Sequence, residues 1–187
     1  MGDEPIDVEA VVGAALFARA SVVRRVGLLS EEYFFFLEET DWCWRVRQAG
    51  LRVVHLPQVG VVHVSGASSK RKSRALTRIE YHRSLYRFFR KWRGMSSVLI
   101  VYLVRLAKAF LYVAMNAPAA LLGGRHRARW IADRQVFVWH LRGCPAAVGL
   151  GQLREIDSDL PGVSDRPISD SRFRAGLDDS REPDVRA

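Results

Sequence analysis

Residues 33–63 read YFFFLEETDWCWRVRQAGLRVVHLPQVGVVH, and the order of residue types in that stretch decides how the rest of the chain is parsed. An aromatic run, Tyr33 to Phe36, leads into three carboxylates, Glu38, Glu39 and Asp41. Trp42, Val46 and Ala49 then recur at helical spacing, which predicts a helix over residues 38–49. Gly50 is placed as the residue that takes the left-handed conformation closing a helix. Residues 51–56 and 59–64 are rich in valine and leucine and are split by Pro57, a pattern of two short strands with His63 near the end of the second.

Upstream, residues 8–19 (VEAVVGAALFAR) are apolar around Gly13, as expected of a strand or extended segment that another group approaches closely at the glycine. Residues 20–26 predict a short helix and residues 27–32 a turn. The succession is alternating α/β, with fewer elements than a complete doubly wound sheet requires. Downstream come a polar loop over residues 65–72 and a basic helix over 77–92, with Tyr81, Leu85, Phe88, Phe89 and Trp92 at helical spacing. An apolar helical stretch follows over 98–122, and from about residue 151 the Asp, Ser, Pro, Arg and Gly content predicts disorder. The expected organisation is an α/β part over residues 1–69, a basic amphipathic helix over 70–94, an apolar membrane-associating helical region over 95–142 and a disordered tail over 143–187.

With 187 residues, 49% of them apolar, the chain has material for one ordinary core. Cys43 and Cys144 stand far apart in unlike surroundings, which argues for reduced thiols and a cytosolic environment rather than a disulfide framework or a zinc site. The opening MGDEPIDVEA is acidic and polar, unlike a secretory signal peptide. The net charge of +9 is local: residues 1–69 balance to −3, whereas residues 70–93 carry 10 basic groups against 1 acidic. Such a band beside an apolar stretch suits nucleic acid or an anionic membrane surface.

Carboxylates in the first turn of a helix are stabilised by its exposed N–H groups, by roughly 0.3 to 1 kcal/mol each. Asp41 and Arg45, four positions apart, suit an ordinary ion pair. Those two effects account for the acidic cluster structurally. The functional alternative is a general base at the mouth of a cleft, taking the proton of an acceptor hydroxyl. His63 has the same duality, as a satisfied polar residue or as a neutral-imidazole metal ligand.

Four segments carry a joint pattern: VVGAALFAR at residues 11–19, VGLLSEEYFFFLEETDWCWRVRQAG at 26–50, HLP at 55–57 and VVHVSGASS at 61–69. Over residues 8–92 their order and spacing resemble the C-terminal half of the catalytic domain of family 2 glycosyltransferases, most closely the bacterial rhamnosyltransferase and galactofuranosyltransferase branch. The resemblance implies part of a GT-A, Rossmann-like sheet and inverting transfer of a sugar, rhamnose among the candidates. The donor would be a nucleotide sugar and the acceptor a glycan or lipid-linked glycan of cell-wall polysaccharide synthesis.

By the same resemblance, Glu39 falls at the general-base position, and Glu38 and Asp41 match flanking acidic positions that bind acceptor or order the base. Gly13 matches a glycine by the acceptor where a side chain would intrude, and Trp42 is placed to stack on a sugar. His63 matches a histidine that, with an aspartate motif, holds a divalent metal (Mg or Mn) on the donor diphosphate, offsetting its charge as it leaves. Glu39 stands where Asp is commoner, and Ser30 where the pattern has Asp. Twelve residues precede Gly13, leaving no place for the strands and Asp-x-Asp motif of the nucleotide-binding half. A partial or truncated transferase is therefore expected, completed by a missing N-terminal half or a homo-oligomer, with a noncatalytic membrane-associated interaction protein as the alternative.

The apolar stretch over 98–122 is long enough to span a bilayer, but Arg105 and Lys108 interrupt it, each at a cost of about 2.5 to 3.5 kcal/mol at the midplane. An apolar face of Leu99, Leu103, Leu106, Phe110 and Val113 favours a helix lying in the interface, peripheral on the cytoplasmic face of the plasma membrane, over a transmembrane helix or one buried in a protein core. The basic band over 70–93 is expected to attract anionic lipid. No usual nucleic-acid-binding motif accompanies it, so nucleic acid is not an expected partner.

Overall fold

The computed structural model describes residues 4–62 and 73–150. His63, the loop expected over 65–72 and the tail from residue 151 lie outside the described residues. The elements in chain order are β1 (Ile6–Asp7), α1 (Ala20–Val26), α2 (Glu38–Gln48), β2 (Val54–His55), α3 (Arg74–Ala120) and α4 (Gly124–Leu141), all within one compact unit, Met1–Arg154.

Helices take 61% of the described residues, so the α/β expectation is corrected to a mainly helical fold with one small sheet. That sheet is an antiparallel pair, Ile6 opposite His55 and Asp7 opposite Val54, continued by one bond from the Val8 N–H to the Val53 carbonyl (3.0 Å). Arg52 clamps it with two bonds to Asp7 (2.8 and 2.9 Å). Residues 8–19 form no strand and turn at Gly13–Ala14, and residues 59–62 run exposed and unpaired. A valine-rich run becomes a strand only when another edge pairs with it, and a lone two-stranded ribbon is marginal in water. Here the ribbon persists because Val8 and Val53 pack into the same cluster as Trp42, Cys43 and Val46 of α2.

The helices around that cluster follow local signals. α2 closes as expected at Gly50 (φ 73°): the Gly50 N–H bonds to the Arg47 carbonyl (2.9 Å) and the Leu51 N–H reaches the Val46 carbonyl (3.2 Å), the paired bonds of a Schellman end. α1 ends on Gly27 (φ 84°) by a different pattern, a single bond from the Gly27 N–H to the Val23 carbonyl (2.8 Å).

The second core belongs to a three-armed bundle. Gly94 (φ 79°, ψ 177°) interrupts α3 and separates an N-terminal arm, residues 74–93, from a C-terminal arm, residues 95–120. The arms run back on one another, with Arg105 over the Tyr81 ring (5.7 Å) and Arg78 over Tyr112 (5.8 Å). Gly123 and Gly124, both at positive φ, allow a second reversal, after which α4 returns along the C-terminal arm. There Trp130 Nε1 donates to the Val113 carbonyl (3.1 Å), and Asp133 accepts from both Asn116 and Arg78. Ala75, Ile79, Ala109, Ala132, Val136 and Trp139 fill the space between the three arms.

Candidate functional site

The acidic helix begins from strained backbone. Phe36 (φ 69°) and Leu37 (φ 67°) are both left-handed, a conformation that costs a non-glycine residue of order 1–3 kcal/mol and persists only where surroundings impose it. Here the N-terminal arm of α3 imposes it. Ser84 Oγ donates to the Phe35 carbonyl (2.8 Å), Arg87 binds the Glu32 carbonyl, and the Phe36 ring meets Tyr81 edge-on at 5.7 Å. Leu37, at the N-cap, offers no side-chain bond to the free amides, so Glu38, Glu39 and Asp41 in the first turn are the groups that answer the helix dipole.

Those three carboxylates have different fates. Asp41 is fully buried, and it accepts from Tyr33 Oη (3.2 Å), Arg45 Nε (3.1 Å), Lys91 Nζ (3.0 Å) and Trp92 Nε1 (2.8 Å). Burial pushes its carboxyl up, but the bonds from Lys91, Trp92 and Arg45 together outweigh that and hold it below the usual carboxylate value. With donors on both of its oxygens, Asp41 serves as a structural anchor between α2 and the N-terminal arm of α3. Glu39 does face Gly13: the Gly13 N–H lies 3.5 Å from Glu39 Oε1, a contact at the outer limit of a hydrogen bond. Glu39 Oε2 and Glu38 Oε2 are buried and have no partner among the described residues. Burial, then the neighbouring Glu39 charge, raises the Glu38 carboxyl above its usual value, against the pull of its own backbone amide.

Two other expectations change. A Cβ on Gly13 would meet Glu39 at 3.7 Å, ordinary contact, so the protein itself does not exclude a side chain there; only something bound beside Glu39 would. Trp42 is buried in the α2 core with Nε1 donating to the Gly27 carbonyl (2.7 Å), so no ring face is free for a sugar, and it is corrected from ligand platform to core residue. Its partners at i+4 and i+7 in the apolar stripe, Val46 and Ala49, were the signal for burial. For a divalent metal the described residues do not supply a site: no three His, Cys, Asp or Glu side chains converge, and His63 is outside them.

Much of the basic helix is engaged within the protein. Arg78 pairs with Asp133, Arg83 with Glu80 and with the carbonyls of Ala146 and Val148, and Lys91 with Asp41, whereas Arg93 lies over Trp44 but stays exposed. As an anionic-membrane band it keeps few free cations among the described residues; it acts as the clamp on the acidic segment. Sequence reasoning missed this, because nothing local marks Lys91 or Trp92 as partners of a carboxylate 50 positions earlier. It also missed the buried pair His82 and His140, whose rings lie 5.0 Å apart between the helical arms. The His140 Nδ1 lies 2.8 Å from the Val136 carbonyl; that carbonyl can only accept, so Nδ1 carries the proton and Nε2 accepts from Tyr86 Oη (2.8 Å). Both cysteines are free thiols; burial raises Cys43, and Cys144 is pushed up to about 11, which keeps it unreactive.

Comparison with protein-family models, with curated proteins and with solved structures finds no match for this chain.

Proposed function

We propose that residues 8–62 form the acceptor side of an inverting glycosyl-transfer site, of the family 2 type that the sequence motifs resemble, with Glu39 as general base. The supporting observation is the pair of buried carboxylate oxygens without donors, Glu38 Oε2 and Glu39 Oε2, on consecutive residues of which Glu39 faces Gly13. Each such atom costs about 1–3 kcal/mol while unpaired, a cost that the hydroxyls of a bound glycan would remove.

In the step itself the acceptor O–H proton passes to Glu39 while the acceptor oxygen bonds to the anomeric carbon of a nucleotide sugar. Attack comes from the face opposite the leaving group, which inverts the centre. The bond from that carbon to the diphosphate oxygen breaks, and its electron pair leaves with the nucleoside diphosphate. Glu38 binds a further acceptor hydroxyl. A lipid-linked acceptor would place the reaction at the cytoplasmic membrane face.

The test uses the full chain. Saccharide acceptors are titrated while the amide resonances of Gly13, Glu38 and Glu39 are followed, and nucleoside diphosphate release is measured from rhamnosyl and galactofuranosyl nucleotides. Shifts confined to those residues are expected, with Glu39→Gln lowering transfer about 10²–10⁴-fold at unchanged helicity. Acceptors that leave Gly13 and Glu39 unshifted, or transfer indifferent to Glu39→Gln, would sink the reading. A noncatalytic, membrane-associated interaction protein is the second reading, favoured by an apolar helical window of mean hydropathy 2.0 that is only 6% buried.

A further inference from the structure

The C-terminal arm of α3 turns one side to the bundle and leaves the other bare. Leu99, Ile100, Leu103, Val104, Leu111 and Met115 are each more than half exposed, and they recur so as to fall on one continuous stripe. Leu106 and Val113, expected from sequence on the same face, are turned partly into the bundle. The stripe continues into the reversal before α4, where Leu121 is 89% and Leu122 78% exposed. Immediately after it, Arg125, Arg127 and Arg129 are exposed, and their side chains make no ion pair or hydrogen bond among the described residues. Arg90 and Arg93 stand exposed at the opposite end, beside Gly94.

We infer that this stripe and the Leu121–Leu122 tip are a monotopic docking surface for an anionic lipid bilayer, with Arg125, Arg127 and Arg129 seated among the headgroups. Charge decides between a membrane and a second copy of the chain. Pairing two stripes in parallel would set three arginines against three, and pairing them antiparallel would set the tip arginines against Arg90 and Arg93. Both arrangements are repulsive, whereas an anionic surface complements every one of these groups.

Packing decides between lying on the bilayer and crossing it. The arm is held along its length by the N-terminal arm and α4, through Arg105 on Tyr81, Arg78 on Tyr112 and Trp130 on Val113, and those neighbours carry charged residues that would have to enter the hydrocarbon with it. Lys108 lies at the stripe's edge with its ammonium 5.6 Å from the Tyr112 ring centre, able to reach the headgroup level from there. The inference does not depend on glycosyl transfer and would stand if that proposal failed.

Flotation of the full chain in a density gradient tests it, with vesicles of phosphatidylcholine alone or mixed with phosphatidylglycerol, at low and high salt. The chain is expected to float with the anionic vesicles at low salt and to be released by high salt. The combined change Arg125→Gln, Arg127→Gln and Arg129→Gln should weaken binding about a hundredfold. Leu121→Asp with Leu122→Asp should weaken it at least tenfold. If either variant loses helicity by circular dichroism, Ile100→Gln with Val104→Gln replaces it. Failure to float with anionic vesicles, equal flotation with neutral ones, or binding that none of the variants weakens overturns the inference. So does a stable dimer in sedimentation velocity that the leucine changes abolish, which would assign the stripe to a second copy.

Discussion

His82 is held neutral in a place where a charge would be costly. Burial first, and then the adjacent His140 and the Arg105, Arg78 and Lys108 charges, push its imidazole down to about 3. Its Nδ1 is buried and has no partner among the described residues. Since the folded value lies below the unfolded value of about 6.5, the unfolded chain takes the proton first as pH falls. Stability is therefore full above about pH 6.5 and declines between there and about pH 3, by at most ~1.4 kcal/mol per pH unit from this group. Asp41 acts lower down: its folded value is depressed, so its contribution holds above the unfolded carboxylate range and is lost as pH falls through the folded value. Urea midpoints measured against pH should show the upper limb flatten in His82→Leu while the Asp41 limb remains. An unchanged upper limb would mean that His82 is not the group that titrates. Of these residues only the Asp41–Arg45 pair was legible beforehand, because a spacing of four on a helix is a local fact; His82 beside His140 depends on two chain reversals.

Helix ends were the most readable elements. Ala20–Val26 forms as expected from its composition, and α2 ends at Gly50 because a glycine after the last apolar position supplies both the positive φ and the terminal bonds. Strands were read too freely, since the same valines pair or lie bare according to whether another edge reaches them. Gly94 falls at the boundary already read between the basic and the apolar helix; what was not read is that at φ 79° and ψ 177° it folds the two back on each other as packed arms. That backbone region is essentially closed to other residues, and a Cβ at Gly94 would have no neighbour within 4 Å, so the cost of adding one is conformational alone. Gly94→Ala should lower stability by about 1–3 kcal/mol in urea melts. Small-angle scattering distinguishes how the strain is relieved, because an arm that straightens into one continuous helix lengthens the molecule whereas a strained turn does not. A fully stable, unchanged variant would show that the reversal is imposed by the packing of Tyr81, Tyr86 and Tyr102 rather than permitted by the glycine.

At the scale of the molecule, two apolar cores are joined by polar bonds and aromatic contacts. One core gathers α2 with α1, the segment before α1 and Leu51 and Val53 just ahead of β2; the other lies inside the bundle. Between them run the Asp41 bonds from Lys91 and Trp92, the Ser84 bond to Phe35 and the tilted contact of Trp44 with Trp92 at 5.7 Å. Several cations of the positive band are drawn inward by three buried carboxylates, Asp41, Glu80 and Asp133, and by a set of backbone carbonyls, which net charge alone does not show. The same arrangement predicts how the two cores respond to the loss of one link. Lys91→Met removes a charged donor from Asp41 while keeping the length of the side chain, and a bond to a charged group is worth about 1.5–3 kcal/mol. Amide exchange across α2 should then quicken roughly 10- to 100-fold, because opening there no longer breaks that bond, while α4, whose contacts are untouched, keeps its protection. If α4 quickens in step with α2, the two cores unfold as one cooperative unit and Asp41 stabilises the whole bundle rather than the acidic helix alone.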